Sequence, residues 1–245
     1  MRRAALELRT LFAHQWKTGK VPHIVFNPKA PPHSYYPGAE PWACATASPD
    51  APPAPPYTSC LSQPPVPAIA VRHIWEAARR ESEESLSSTR DFLHDIYPRL
   101  LAWHRYLATF RDPEESGLVT IYHPWGSGTG NSPRWDTALA AVEVGDLPPY
   151  PRYDLQHVAD PSQRPTKADY DRYLWLVSLV KRDGCDERII YRSHPFLVKD
   201  VLSSAILVVA NEALLEIAEV VGAPDEDREL IVGWAERGRR GLDAC

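Results

Sequence analysis

Leu8, Leu11, Phe12, Gln15 and Trp16 recur at helical spacing, which sets their side chains along one face of a helix. The same period predicts a second helix over 68–79 and a third over 91–96. Pro98 starts or kinks another that reaches 109, because proline has no N–H to continue the ladder. Residues 133–142 read as a helix with proline in its first turn. Over 167–182, Tyr170, Leu174, Val177 and Val180 fall to one side. Residues 201–221 are apolar nearly all round, which predicts a buried helix. Gly222-Ala-Pro224 stops it, and 225–239 form the last helix. Strand signals are confined to the β-branched and aromatic runs 118–122 and 189–191. The reading is an all-α protein of about eight helices whose loops carry the polar chemistry.

Proline changes this picture over one stretch. Of 25 prolines, 13 lie within residues 28–67, which predicts a segment without regular helix or central strand. That stretch also carries Tyr35, Tyr36, Trp42 and Tyr57, more aromatic surface than a linker holds. It reads as an ordered loop over a site, with 47–56 its flexible part.

Charge and composition exclude several classes. The balance is 27 basic against 32 acidic residues, net −5, without the basic excess that phosphate binding needs. No nucleic-acid partner is expected. No unbroken apolar run reaches ~18 residues, so no membrane partner is expected either. No apolar leader follows Met-Arg-Arg. The four cysteines, Cys44, Cys60, Cys185 and Cys245, are scattered without a CxxC pair and read as thiols of a cytoplasmic protein.

Three chemistries compete for the polar loops. There are nine histidines, but no HExxH and no Cys/His group at zinc spacing, so no metal is expected. Gly126-Ser-Gly-Thr-Gly130 imitates a phosphate-cradling loop, but Asn131 stands where GxGxxG has its third glycine, and no Gly-Lys-Ser/Thr follows. No nucleotide or other cofactor is expected. The third set is Tyr36, Gln63, Trp125, Asn131, Arg134, Trp135, Asp136, Arg164 and Tyr170. Aromatic faces stack on sugar rings, and Arg with Gln or Asn grips hydroxyls and carboxylates. The plainer alternative makes Trp125 and Trp135 core residues and Arg134 with Asp136 a local pair.

The run His123-Pro-Trp-Gly-Ser-Gly-Thr-Gly-Asn-Ser-Pro-Arg-Trp-Asp136 resembles the central signature of bacterial glucosylglycerate and mannosylglycerate hydrolases. These belong to glycoside hydrolase family sixty-three, relatives of trehalases. Three further blocks are similar to family segments: Gln15-Trp16 to Asn27, Gln63-Pro-Pro-Val66, and Arg164-Pro-Thr166 with Asp169-Tyr-Asp-Arg-Tyr173. The resemblance implies an (α/α)6 toroid of six helical hairpins with its site loops on one rim. Twelve helices complete such a toroid. The 245 residues are therefore expected to form one partial (α/α)6 domain, a truncated member with the Pro-rich loop at 28–67. Inner helices without their neighbours would favour self-association.

The implied chemistry is inverting hydrolysis of an α-glycosidic bond, releasing sugar and glycerate. One carboxylic acid protonates the leaving oxygen while a second carboxylate activates water. In the family signature, Glu stands at the place of Gly126 and the general acid, Asp, at the place of Gly130. The general base of relatives lies beyond position 245. No catalytic residue is therefore assigned, and the chain is expected to be inactive as it stands. Asp136 matches an Asp that orients neighbours. Asn131, Arg134 and Trp135 support the motif. The resemblance assigns Tyr36, Gln63, Arg164 and Tyr170 to the glycerate part of a small carbohydrate, glucosylglycerate or mannosylglycerate, and Trp125 to the sugar ring. The alternative is a non-catalytic sugar- or glycerate-binding protein, or a vestige of one.

Overall fold

A computed structural model describes residues 2–31 and 33–245. Its helices, in chain order, are α1 (Arg2–Phe12), α2 (Ala39–Trp42), α3 (Cys44–Ala47), α4 (Pro67–Ala78), α5 (Glu83–Tyr106), α6 (Asp136–Ala140), α7 (Lys167–Arg182), α8 (Glu187–Ser193), α9 (Val201–Val221) and α10 (Asp225–Asp243). Two short strands, β1 (Thr120–Ile121) and β2 (Val198–Lys199), pair with each other. Contacts divide the chain into two compact units. The first comprises Met1–Val21, Pro64–Thr120 and Lys199–Cys245, and the second Pro22–Gln63 and Ile121–Val198.

The first unit is a bundle of α1, α4, α5, α9 and α10. Phe12, Val71, Phe92, Leu93, Ile96, Leu100 and Trp103 meet Leu214 and Ile217 in its core. Each such side chain removed from water contributes ~1.5–3 kcal/mol before entropy is subtracted. α5 starts where the Ser82 side chain accepts the Ser85 N–H, with Glu83 and Glu84 in the positive first turn. It runs unbroken past Pro98 and continues as a π-helical turn, Leu107–Arg111. The separate helices expected on either side of Pro98 are one. His94 and Pro98 lie on the exposed face, so the carbonyl that loses its partner can bond water.

α9 departs from expectation in burial. Ser203, Ser204, Val208, Ala210, Asn211, Ala213, Leu214, Ile217 and Ala218 are buried, but Val201, Leu202 and Val209 are exposed, Val201 at 51%. The helix buries one face against α4, α5 and α10, not its whole circumference. Among the described residues it alone is long and apolar enough to cross a membrane. Its buried polar groups are matched within the unit: Asn211 Oδ1 lies 2.7 Å from His104 Nδ1, and Ser204 Oγ accepts the Val119 N–H at 2.8 Å. Gly117, at φ +82°, lets the turn before β1 press onto α10. A Cβ there would stand 2.2 Å from the Arg237 carbonyl oxygen.

The second unit is built around α7, on which α2 and α3 pack. Thr166 and Asp169 close a reciprocal capping box at its start. Its core joins Ile121, Trp135, Leu139, Tyr170, Tyr173, Leu176 and Phe196. Three expectations change here. Residues 189–191 belong to helix α8, not to a strand, because the Asp186 side chain caps the Arg188 N–H and Ile190 turns fully inward. The 28–67 stretch contains α2 and α3 despite its prolines. Pro41 sits in the first turn of α2, where an N–H would have no helical partner. The helix at 133–142 opens as a 3-10 turn, Pro133–Trp135, before α6.

Candidate functional site

The second unit gathers the expected site residues around the first turns of α7. Tyr170 lies 5.7 Å from the stacked ring of Tyr36 and 6.0 Å from Trp125, which meets it edge-on. Tyr36 and Trp125 therefore flank the same ring. Tyr150 extends the stack at 6.0 Å from Tyr170. Burial, with Tyr170 next, pushes the Tyr36 hydroxyl up; burial, with Asp154 next, pushes Tyr170 to about 12. Both phenols stay protonated at neutral pH and can donate hydrogen bonds.

The charged part is a shared carboxylate. Arg152 grips Asp154 in a fork at 2.7 and 2.8 Å, and Arg164 Nε donates to the same carboxylate at 3.2 Å. The bond from Arg152 holds the Asp154 carboxyl below its usual range, against burial. The Arg152 guanidinium stands 4.1 Å over the Tyr170 ring. Its Nη groups also reach the Thr166 and Pro165 carbonyls. Among the described residues Arg164 commits only Nε, which leaves its Nη pair as a fork for an anion. The Arg152–Asp154 pair, with Tyr150 and Tyr153, escaped sequence reasoning. The signal lay in Pro149-Tyr-Pro-Arg-Tyr153, which repeats the proline-aromatic texture of 28–67.

The glycine-rich loop is held from below. Trp125 N–H donates to His123 Nδ1 at 3.0 Å, and His123 Nε2 donates to the Tyr173 carbonyl at 3.0 Å. With both nitrogens used, this histidine is a fixed neutral tautomer, and burial lowers its pKa to about 3. Gln63 Nε2 donates to the Trp125 carbonyl at 2.6 Å. Trp135 is core, 2% exposed, and its indole N–H donates to the Thr129 carbonyl. Arg134 reaches Thr129 Oγ1 at 2.6 Å. Asn131 and Asp136 are exposed. A Cβ on Gly130 would meet Trp125 Cδ1 at 3.1 Å, and one on Gly126 the Ser62 carbonyl at 3.0 Å. A side chain at either glycine would need its neighbour to give by a few tenths of an ångström.

The protein-family model described as the mannosylglycerate hydrolase MGH1-like glycoside hydrolase domain matches residues 1–245. The chain belongs to this family. It is 44% identical over 240 residues to a glucosylglycerate hydrolase of Mycolicibacterium hassiacum, covering 98% of this chain and 53% of that protein. It is 43% identical over 243 residues to a mannosylglycerate hydrolase of Thermus thermophilus, covering 99% of this chain and 54% of that one. The crystal structure of a family 63 mannosylglycerate hydrolase from Thermus thermophilus, in complex with Tris and D-glycerate, superposes with a TM-score of 0.86 at 41% identity. That match covers 99% of this chain and 54% of the hydrolase. The all-α class holds, and the half-length match agrees with a partial toroid. The chain spans about half the length of these relatives.

Proposed function

We propose that the second unit is a binding site for the glycerate part of glucosylglycerate or mannosylglycerate, in a glycoside hydrolase-like protein that does not cleave its ligand as it stands. The observation that carries this reading is the convergence of Tyr36, Trp125 and Arg164 on the Tyr170–Asp154 cluster. It supplies stacking surface, phenolic donors and an unspent guanidinium fork, the groups a hydroxy acid attached to a sugar needs. A related hydrolase is described in complex with D-glycerate.

The lack of turnover follows from chemistry at Gly130. An inverting glycosidase needs a carboxylic acid whose pKa is raised so that it can protonate the leaving oxygen. Gly130 has no proton to give. Asp154 and Asp171 are displaced the other way: arginine bonds lower the first, and Lys167 and Tyr150 lower the second against its burial.

Isothermal titration of the purified chain with glycerate and with mannosylglycerate is expected to give millimolar affinity, about 4 kcal/mol. Arg164→Ala should abolish it. Arg164→Lys should recover little, because an ammonium cannot present the fork. Glycerate release by the unaltered chain, followed by chromatography, would overturn the inactivity. Gly130→Asp places a carboxyl at the loop position that lacks one, and glycerate released by this variant but not by the parent chain would trace the inactivity to the missing proton donor. Binding unchanged by Arg164→Ala would overturn the site itself.

A further inference from the structure

The fold brings together three cysteines that sequence spacing keeps apart. Cys44 opens α3, Cys60 lies in the extended segment after the Val25–Thr58 bridge, and Cys185 follows the end of α7. Their sulfurs all lie within 4.8 Å of one another. All three residues are buried, at 2%, 0% and 4% exposure. No disulfide joins them. Among the described residues, no histidine, aspartate or glutamate ligand atom joins the group.

The trio is held by packed backbone on three sides. Gly184 comes so near α3 that a Cβ on it would stand 3.2 Å from the Ala47 carbonyl, and the Cys185 N–H closes the end of α7 on the Val180 carbonyl at 2.9 Å. Cys185 is held at φ 55°, a left-handed backbone that an L-residue rarely adopts. The Cys60 carbonyl accepts from the Tyr122 hydroxyl, which also lies 3.2 Å from Glu187 Oε1. The sulfurs are thus placed by α3, α7 and an extended segment, not by one flexible loop.

We propose that Cys44, Cys60 and Cys185 form an all-sulfur site for one thiophilic metal ion, with Cu(I) the ion that the donor count fits best. Three sulfurs about 2.3 Å from a central ion stand ~3.8–4 Å from one another. The observed spacing needs each pair to close by no more than about 1 Å. Thiolates select soft ions over Mg(II) or Ca(II). Zn(II) asks for four tetrahedral ligands, whereas Cu(I) is satisfied by three sulfurs in a plane. Binding exchanges thiol protons for the metal, so it releases protons and strengthens as pH rises. The site is independent of the sugar reading, because none of its residues belongs to the Tyr36–Arg164 cluster.

The test uses the whole reduced chain under anaerobic conditions. It is titrated with Cu(I) against a coloured Cu(I) chelator, and separately with Zn(II) against a zinc chelator. One equivalent of Cu(I) is expected to be retained, with sulfur as the scatterer in the copper X-ray absorption spectrum. Cys245→Ser, at the exposed fourth cysteine, should bind as the parent does. Cys44→Ala, Cys60→Ala and Cys185→Ala should each weaken binding by more than ~100-fold, beyond what loss of an outer partner costs. Circular dichroism confirms that each variant is folded. A second readout needs no variant: bound Cu(I) should raise the unfolding midpoint and shield three of the four thiols from alkylation in mild denaturant. Failure to compete with the chelator, binding that survives all three substitutions, or nitrogen and oxygen scatterers would overturn the site. Tighter binding of Zn(II) than of Cu(I) would overturn the choice of ion.

Discussion

His104 shows how one buried side chain sets a property of the whole chain. Burial lowers its pKa to about 4, although the contact with Asn211 works the other way. It is neutral when folded, while the unfolded chain takes up the proton below pH ~6.5. The unfolded state therefore binds more protons, and stability falls as pH drops from about 6.5 toward 4 and is flat above. His123, lowered to about 3, adds to the same limb. About 2 kcal/mol per histidine should be lost between pH 6.5 and 5. Urea unfolding across that range checks this, and His104→Gln should flatten the slope. At Gly117 the expected effect is larger. Gly117→Ala sets a Cβ 2.2 Å from a backbone oxygen at positive φ and should cost at least about 3 kcal/mol. At this scale the sequence motifs named Tyr36, Trp125 and Tyr170 as one group, and the fold sets these three rings side by side. The sequence did not single out Arg152 with Asp154, whose place beside Tyr170 and Arg164 comes only with the fold, nor the cysteine trio, which long-range contacts assemble.

At the scale of elements, helix ends decide most. The period-3.6 pattern located α7 and α9 to the residue, since strong caps, Thr166 with Asp169 and Gly222, coincide with the ends of the apolar pattern. It failed where local chemistry was ambiguous. The run at 189–191 is too short for its period to separate strand from helix, and the Asp186 cap decided it. Proline misled twice: Pro41 sits in a first turn where its N–H would have no helical partner, and Pro98 costs α5 a ladder bond without ending the helix, because it lies on the exposed face. Pro98→Ala should therefore stabilise the protein by ~1–3 kcal/mol, because it restores a ladder bond on an exposed face without loss of packing. Chemical denaturation would show the gain. Thr166→Ala removes half of the α7 capping box and should cost ~1 kcal/mol. Because Tyr170 rides the next turn, it should weaken glycerate binding as well. Unchanged affinity in that variant would separate the cap from the site.

For the whole molecule, surface composition matters most. Val201, Leu202 and Val209 of α9, Val232 of α10 and Leu6 of α1 are exposed apolar residues of the first unit. Contiguous apolar surface drives association. Light scattering is expected to show mass rising with concentration, and Val209→Lys with Leu202→Glu should suppress it; a monomer at all concentrations would contradict this. The order in which the chain is made carries a further consequence. The first unit is assembled from three separated stretches, the last being Lys199–Cys245. On a ribosome, α1, α4 and α5 emerge early and wait, with the faces of α4 and α5 that pack on α9 uncovered, until α9 follows the entire Ile121–Val198 stretch. Such distant pairings fold slowly, and the waiting surface is what a chaperone would hold during synthesis.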